Sequence, residues 1–177
     1  MKKSILTELN VHSSNMPQFC GDIDIRIARN GTWYYRGSEI ARKKIVKFFS
    51  TTLRRDKIGD FWLETSLEKC RIKVDDAPFL AIGMEVVGFG NNQSITFTTN
   101  MDDKVLAGPS FPIHIKVDPK TLEPSPYVLV RDRLEALISR AVYYDLIELG
   151  LEMESEGRNI LGVWSNGVFF ELGSLDE

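Results

Sequence analysis

Between Gly21 and Asp56 the chain reads GDIDIRIARNGTWYYRGSEIARKKIVKFFSTTLRRD, and within that stretch its hydrophobic period changes once, from two residues to about 3.6. Ile23, Ile25 and Ile27 alternate with Asp24, Arg26 and Ala28, the pattern of a strand with one buried face. Asn30-Gly31 offers the positive φ that a tight hairpin needs, and Thr32 to Arg36 returns as the partner strand. Gly37 ends that strand, Ser38 is placed to cap a helix, and Glu39 favours the helix's positive end. The helix expected from Glu39 to Arg55 carries Ala41, Ile45, Phe48, Phe49, Thr52 and Leu53 on one side and Lys43, Lys47, Ser50 and Arg54 on the other. At ~100° per residue, Arg42 falls between Phe49 and Leu53, on the edge of the apolar side.

The hairpin has an echo. Asn30-Gly31-Thr32-Trp33-Tyr34-Tyr35-Arg36-Gly37-Ser38 parallels Asn166-Gly167-Val168-Phe169-Phe170-Glu171-Leu172-Gly173-Ser174, which points to a duplicated hairpin. Between them, from Phe61, short β-rich runs are divided by turn residues. The expected strands are Phe61–Glu64, Cys70–Val74, Phe79–Val87, Ser94–Thr99, Lys104–Leu106, Ile113–Val117 and Tyr127–Val130, separated by breaks such as Asp75-Asp76-Ala77-Pro78. A second helix is expected from Arg133 to Leu149, capped by Asp132 and stopped by Gly150, with Asp145 within about 20° of Leu134 on its wheel. The first 20 residues read as an arm with a short helix around Ile5 to Leu9.

These runs give an α+β protein of two interlocked lobes. Residues 1–58 form an arm, hairpin and helix; residues 59–150 form a seven-stranded antiparallel pleckstrin-homology-like barrel or sandwich with one packing helix; residues 151–177 add a hairpin that completes the first lobe or extends the second.

The composition, 43% hydrophobic and 27% charged over 177 residues, is that of a soluble globular chain and excludes disordered and fibrous classes. Apolar runs fall far below the ~18 residues that span a bilayer, and Lys2-Lys3 is followed only by Ser4-Ile5-Leu6, too short for a signal core. The expectation is a cytoplasmic protein with no membrane partner. Cys20 and Cys70 form neither a disulfide framework nor a zinc pattern, so reduced thiols are expected. A net charge of −3 argues against nucleic acid as a partner. That charge is unevenly spread: bases crowd from Arg36 to Lys57, acids from Ala141 to Gly157.

The stretches GDIDIRIARNGTWYYRGSEIARKKIVKFF, LEKCRIKVDDAPFLA, TFTTNMDD with AGPSFP after it, PSPYVLVRDRLEALISR and GVWSNGVFFELG together resemble a family of bacterial proteins described as a domain of unknown function. The resemblance covers most of residues 21–173. It implies a two-part fold with a duplicated core, a second part similar to pleckstrin-homology folds, a ligand site where the parts meet, and a signalling role with a nucleotide-like ligand. It supplies no catalytic residues.

Asn100, Asp102 and Asp103, or Asp75-Asp76, have the oxygen ligands that a divalent cation takes, but without a third fixed ligand or calcium-loop spacing they read first as turns. His12 and His114 are isolated; each is a catalytic base only if a nucleophile lies beside it, and otherwise His114 belongs to a strand face. Gly88-Phe89-Gly90 and Gly37-Ser38 show neither a Walker pattern nor a dinucleotide fingerprint. Lys43, Lys47 and Arg54 make a basic face that reads as solvated, and the turns Thr65–Lys69 and Asp75–Pro78 lack the bases of a lipid-phosphate site. The sharper features are Arg42 and Asp145, charges among apolar neighbours, each of which needs a partner if buried. Arg42 is either a structural ion-pair member, with Asp22 or Asp24, or the head of an inter-lobe ligand site with Trp33, Tyr35 and Arg36, suited to a phosphorylated aromatic small molecule. The leading reading is a non-enzymatic ligand-binding or signalling module. Its alternatives are an enzyme on a nucleotide or phosphorylated metabolite with a metal held by Asp102 and Asp103, and a protein-interaction scaffold whose acidic 145–156 region meets a basic partner or, in a homo-oligomer, the basic helix of a second copy.

Overall fold

The computed structural model describes residues 17–176, so the expected helix at Ile5 to Leu9 and His12 lie outside the described residues. The chain builds β1 (Gln18–Ile27), β2 (Trp33–Tyr35), β3 (Ser38–Glu39), α1 (Lys43–Thr52), β4 (Leu53–Arg55), β5 (Phe61–Glu64) and β6 (Glu68–Val74). These strands form one six-stranded sheet in the order β3-β2-β1-β6-β5-β4. A second sheet follows from β7 (Phe79–Val87), β8 (Ser94–Thr99), β9 (Lys104–Leu106), β10 (Ile113–Val117), β11 (Pro124–Arg131) and β12 (Leu134–Ile138), ordered β10-β11-β12-β7-β8-β9. Then come α2 (Arg140–Glu148) and a three-stranded sheet of β13 (Leu151–Ser155), β14 (Arg158–Ser165) and β15 (Val168–Ser174). The protein is thus a mostly-sheet α+β fold. Among the described residues no helix is long and apolar enough to cross a membrane.

The two six-stranded sheets share one plan. Each is two three-stranded meanders, and in each the first strand lies parallel to the last, β1 beside β6 and β7 beside β12. Repetition in this molecule is therefore a repetition of sheets. The two Asn-Gly hairpins are not counterparts, since the second joins β14 to β15 in the small sheet. They also differ in conformation. In the first turn only Gly31 takes positive φ (+80°), with its N–H donating to the Ala28 carbonyl, whereas Asn166 and Gly167 both do (+49° and +78°). The first is a turn with a glycine bulge; the second is a two-residue loop of the type that matches strand twist.

The expected seven-stranded pleckstrin-like lobe is corrected in the same way. Phe61–Glu64 and Cys70–Val74 pair into the first sheet, and the remaining five strands are joined by β12 to make six. The sequence division at residue 58 falls within the first sheet, between β4 and β5. The chain passes to the second sheet between Val74 and Phe79.

Both helices are shorter than their periodicity suggested. Ser38 and Glu39 pair with Tyr35 and Tyr34, so Ser38 is a strand residue and α1 starts after Arg42, whose backbone is extended (φ −82°, ψ 95°). Leu53 leaves the helix to pair with Leu63, and both are buried. The face of α1 that packs is that of Val46 and Ser50, leaving Phe48 60% exposed. In the second region Leu134, Ala136 and Ile138 are buried alternately with Glu135 and Leu137, which makes β12 a strand. Asp132 adopts φ +46° in the tight β11–β12 turn and caps no helix. Arg42 and Asp145 are both exposed, so neither needs the buried partner that helix-wheel geometry implied.

One continuous core joins these layers, from Ile25, Ile27, Trp33 and Leu53 in the first sheet to Phe79, Phe97 and Leu134 in the second and Val163 and Leu172 in the third. At about 1.5–3 kcal/mol for each fully buried large apolar side chain, it is the principal source of stability. The third sheet is also held by polar contacts. Buried Ser165 Oγ donates to the Ala107 carbonyl (2.7 Å) and accepts the Ile95 N–H (2.9 Å), while Gln93 Nε2 donates to the Trp164 carbonyl (3.0 Å).

Candidate functional site

The β1–β2 turn is the point at which the first sheet meets the second. Asn30 Oδ1 accepts the Thr32 N–H (3.0 Å), which shapes the turn, and Gly31 brings bare backbone against Asn100. A Cβ on Gly31 would stand 2.5 Å from Asn100 Nδ2. Asn100 in turn accepts the Leu80 N–H at its Oδ1 (3.0 Å) and donates its backbone N–H to the Leu80 carbonyl (2.8 Å). A short β8–β9 turn thereby seats the first hairpin on the second sheet.

A cleft opens on either side of this turn. The larger, about 580 Å³, runs from Arg29 and Asn30 across an apolar floor that includes Leu80, Pro126 and Ile138 to the start of α2. Ser139, Arg140, Tyr143 and Tyr144 form its far wall, and Glu123 stands at its edge. Arg29 is oriented by Asp76 (Nε to Oδ2, 3.0 Å) and by Ser125, whose Oγ accepts from Nη2 (2.9 Å). Ser139 heads α2 without a side-chain capping bond, and burial pushes the Tyr143 phenol above its ordinary pKa. The smaller cleft, about 290 Å³, lies between Gly31–Trp33, the start of α1 and the Asn100–Asp102 turn.

Beside the larger cleft is a charged cluster. Tyr127 donates its hydroxyl to Asp76 (2.7 Å), and burial, reinforced by that carboxylate, pushes the phenol to about 12. His114 stacks on Tyr127 (5.4 Å between centroids), and its Nε2 lies 3.3 Å from Glu135, which also accepts from Lys116 (3.1 Å). Burial holds the His114 imidazole below its ordinary range, with Glu135 opposing and Lys116 assisting. His114 is therefore a strand-face residue answered by a carboxylate.

The candidate cation ligands are also answered. Asp102 pairs with Lys47 (3.0 Å), Asp103 with Arg131 (3.3 Å), Asp75 with Arg26 (2.8 Å) and Asp76 with Arg29. Among the described residues no three His, Cys, Asp or Glu side chains converge to hold a metal.

Of the four residues chosen as a ligand set, the fold brings one to an inter-sheet cleft. Trp33, 2% exposed, lines the smaller cleft. Tyr35 is 46% exposed, with the Arg36 guanidinium 5.1 Å over its ring, and Arg36 borders a separate depression with Asp24 and Tyr34. Arg42 heads α1 on the surface. Arg29, Arg140, Tyr143 and Tyr144 were not singled out in sequence. The signal for Arg29 was its place beside the Asn-Gly turn; Arg140 and the tyrosines were absorbed into an overlong helix.

Residues 11–77 match a domain of unknown function (DUF1285), N-terminal domain, and residues 78–172 match a protein of unknown function (DUF1285), C-terminal domain. The junction coincides with the passage between the two sheets. The crystal structure of a DUF1285 family protein from Silicibacter pomeroyi DSS-3 is similar at 49% identity and TM-score 0.83, over 90% of this chain and 85% of that one. A second DUF1285 family structure, from Shewanella baltica OS155, shares the fold at 23% identity and TM-score 0.55, over 72% of this chain and 92% of that one. No curated protein matches.

Proposed function

Because the chain belongs to the DUF1285 family, whose function is unknown, we propose a role from its own geometry: it is a non-catalytic ligand-binding or signalling module that takes a small anionic aromatic molecule, nucleotide-like in class, in the larger inter-sheet cleft. The observation that carries this reading is the composition of that cleft. Its ~580 Å³ is within the size range of small-molecule sites, and it offers an apolar floor, two tyrosines and two guanidinium groups. Tyr143 and Tyr144 supply ring faces for a flat ligand, and Arg29 and Arg140 supply planar donors that suit phosphate or carboxylate. Placement between two sheets lets occupancy bear on how they sit together, which is the physical content of a sensor.

The rival reading, an enzyme with a metal on Asp102 and Asp103, has weaker support because a cation already answers each carboxylate. A thermal-shift screen of mononucleotides and phosphorylated aromatics, with and without magnesium, separates the two. Binding to the folded state alone raises stability by about 2.7 kcal/mol at a hundred times Kd. The expected result is a magnesium-independent rise in Tm without turnover, lost in Arg140→Ala. Magnesium-dependent binding with turnover, or an undiminished response in Arg140→Ala, would reject this assignment.

A further inference from the structure

We infer that the exposed side of α1 docks on the acidic α2–β13 surface of a second copy of this chain, so that the protein associates with itself through two unlike patches. This contact does not rest on the function proposed for the larger cleft. It begins with the side of α1 that the fold leaves bare. The helix packs through Val46 and Ser50, while Ile45 and Phe48, three residues apart and so neighbours on the helix surface, are 37% and 60% exposed. Arg42, Lys43 and Lys44 lead into them, all exposed and none in an ion pair among the described residues. Lys47 is held by Asp102 at 3.0 Å. One exposed apolar residue is ordinary; an aromatic and an aliphatic side chain together, bordered by charge of one sign, have the make-up of an interface centre with a polar rim.

Such a patch calls for an acidic surface with apolar groups of its own, and the chain carries one. Asp145 and Glu148 on α2, Glu152 and Glu154 on β13 and Glu156 just after it are all exposed, and none is in an ion pair among the described residues. From Ala141 to Gly157 no base interrupts them, and Arg140 and Arg158 stand at the two ends. Leu151, 47% exposed, lies among these acids, and Tyr144, 57% exposed, adjoins Asp145. Charges left unanswered within one copy are answered between two, with Ile45 and Phe48 of one against Leu151 and Tyr144 of the other and unlike charges around them. Because each copy carries both patches, a two-fold pair makes the contact twice.

Sedimentation velocity on the full-length protein over a concentration series reads the contact, in about 0.1 M and about 1 M sodium chloride, between which the screening length falls from ~10 Å to ~3 Å. The expected result is self-association at the lower salt, weakened roughly tenfold at the higher and at least about tenfold by Phe48→Ser. Two charge reversals test the pairing itself: Lys43→Glu with Lys44→Glu, and Glu152→Lys with Glu154→Lys. Both alter only exposed side chains and should melt like the parent; Tyr144, which also walls the larger cleft, is left unchanged. Each double variant alone is expected to be monomeric. Their equimolar mixture is expected to associate again, because the reversed α1 of one then meets the reversed surface of the other while the two parental patches pair as before. A parent that stays monomeric at the lower salt, double variants that associate undiminished, or a mixture that stays monomeric overturns the inference. In the first case the acids serve as the guard of an edge strand, and any partner of the α1 face is a foreign one.

Discussion

Arg42 has no ion pair among the described residues and makes no capping bond, so Arg42→Met and Arg42→Lys should both melt within about 0.5 kcal/mol of the parent, as surface substitutions do. A large loss in thermal melts of both variants would show that the guanidinium has a structural partner after all. Replacement by Asp should raise stability by about 1 kcal/mol, because it supplies the missing cap on an already extended residue. His114 makes a prediction in pH. Its folded pKa lies below the ordinary 6.5, so the unfolded chain binds the proton more readily, and the imidazole's contribution is present above that value and lost as pH falls through it. Denaturant midpoints measured from pH 7.5 to 5 should therefore fall less steeply in His114→Gln; parallel slopes would mean that other groups set the acid limb. At this scale the sequence was legible where a side chain acts locally, as at Gly31. It was opaque for Arg42, whose burial depended on where the helix began.

Elements were legible where their period was unbroken. Ile23, Ile25 and Ile27 in β1 and the hairpin runs from Phe61 to Leu106 fell where alternation put them, because a strand with one buried face has a single in-register solution. The second helix failed for a specific reason: Leu134, Ile138, Val142 and Leu146 are spaced by four across the whole region, and all are buried. A spacing of four satisfies a helix face and also every second inward position of a strand, so one continuous pattern concealed the change of element at Ser139. The third sheet offers a test of its polar anchorage. Ser165→Ala leaves the Ile95 N–H and the Ala107 carbonyl buried without their side-chain partner, and should cost about 2–3 kcal/mol in denaturant unfolding. A loss under about 0.5 kcal/mol would show that packing alone holds β14 in place. Between β1 and β6 the fold also brings Cys20 and Cys70 to a Cα separation of 5.2 Å, within disulfide reach, which the 50-residue gap in sequence concealed. Oxidised protein should then melt higher than reduced protein, by roughly 4 kcal/mol in the chain-entropy account of a loop that long. Two titratable thiols remaining after oxidant, or identical melts, would count against a cross-link.

For the molecule as a whole, the core runs without interruption from the first sheet into the second and third, and Asn100 ties the β1–β2 turn to Leu80. Calorimetry and circular dichroism should therefore report one coincident transition; two resolved transitions would mean that the family's two domains are separate cooperative units. The duplication expected was of the Asn-Gly hairpin, and those two hairpins are not counterparts; the plan the two large sheets share was not legible, because two sheets can share connectivity while sharing no local motif. The parallel seam at the centre of each sheet bears on how the chain is made. As the protein emerges during synthesis, β1 finds β2 at once, yet its other edge has no partner until β6 has been synthesised, and β7 waits likewise for β12. Twice during each round of translation a nascent strand presents unpaired amides beside apolar side chains, the geometry that recruits other chains. Chaperone demand should therefore come in two pulses, the first closing as residue 74 clears the ribosome and the second as residue 138 does.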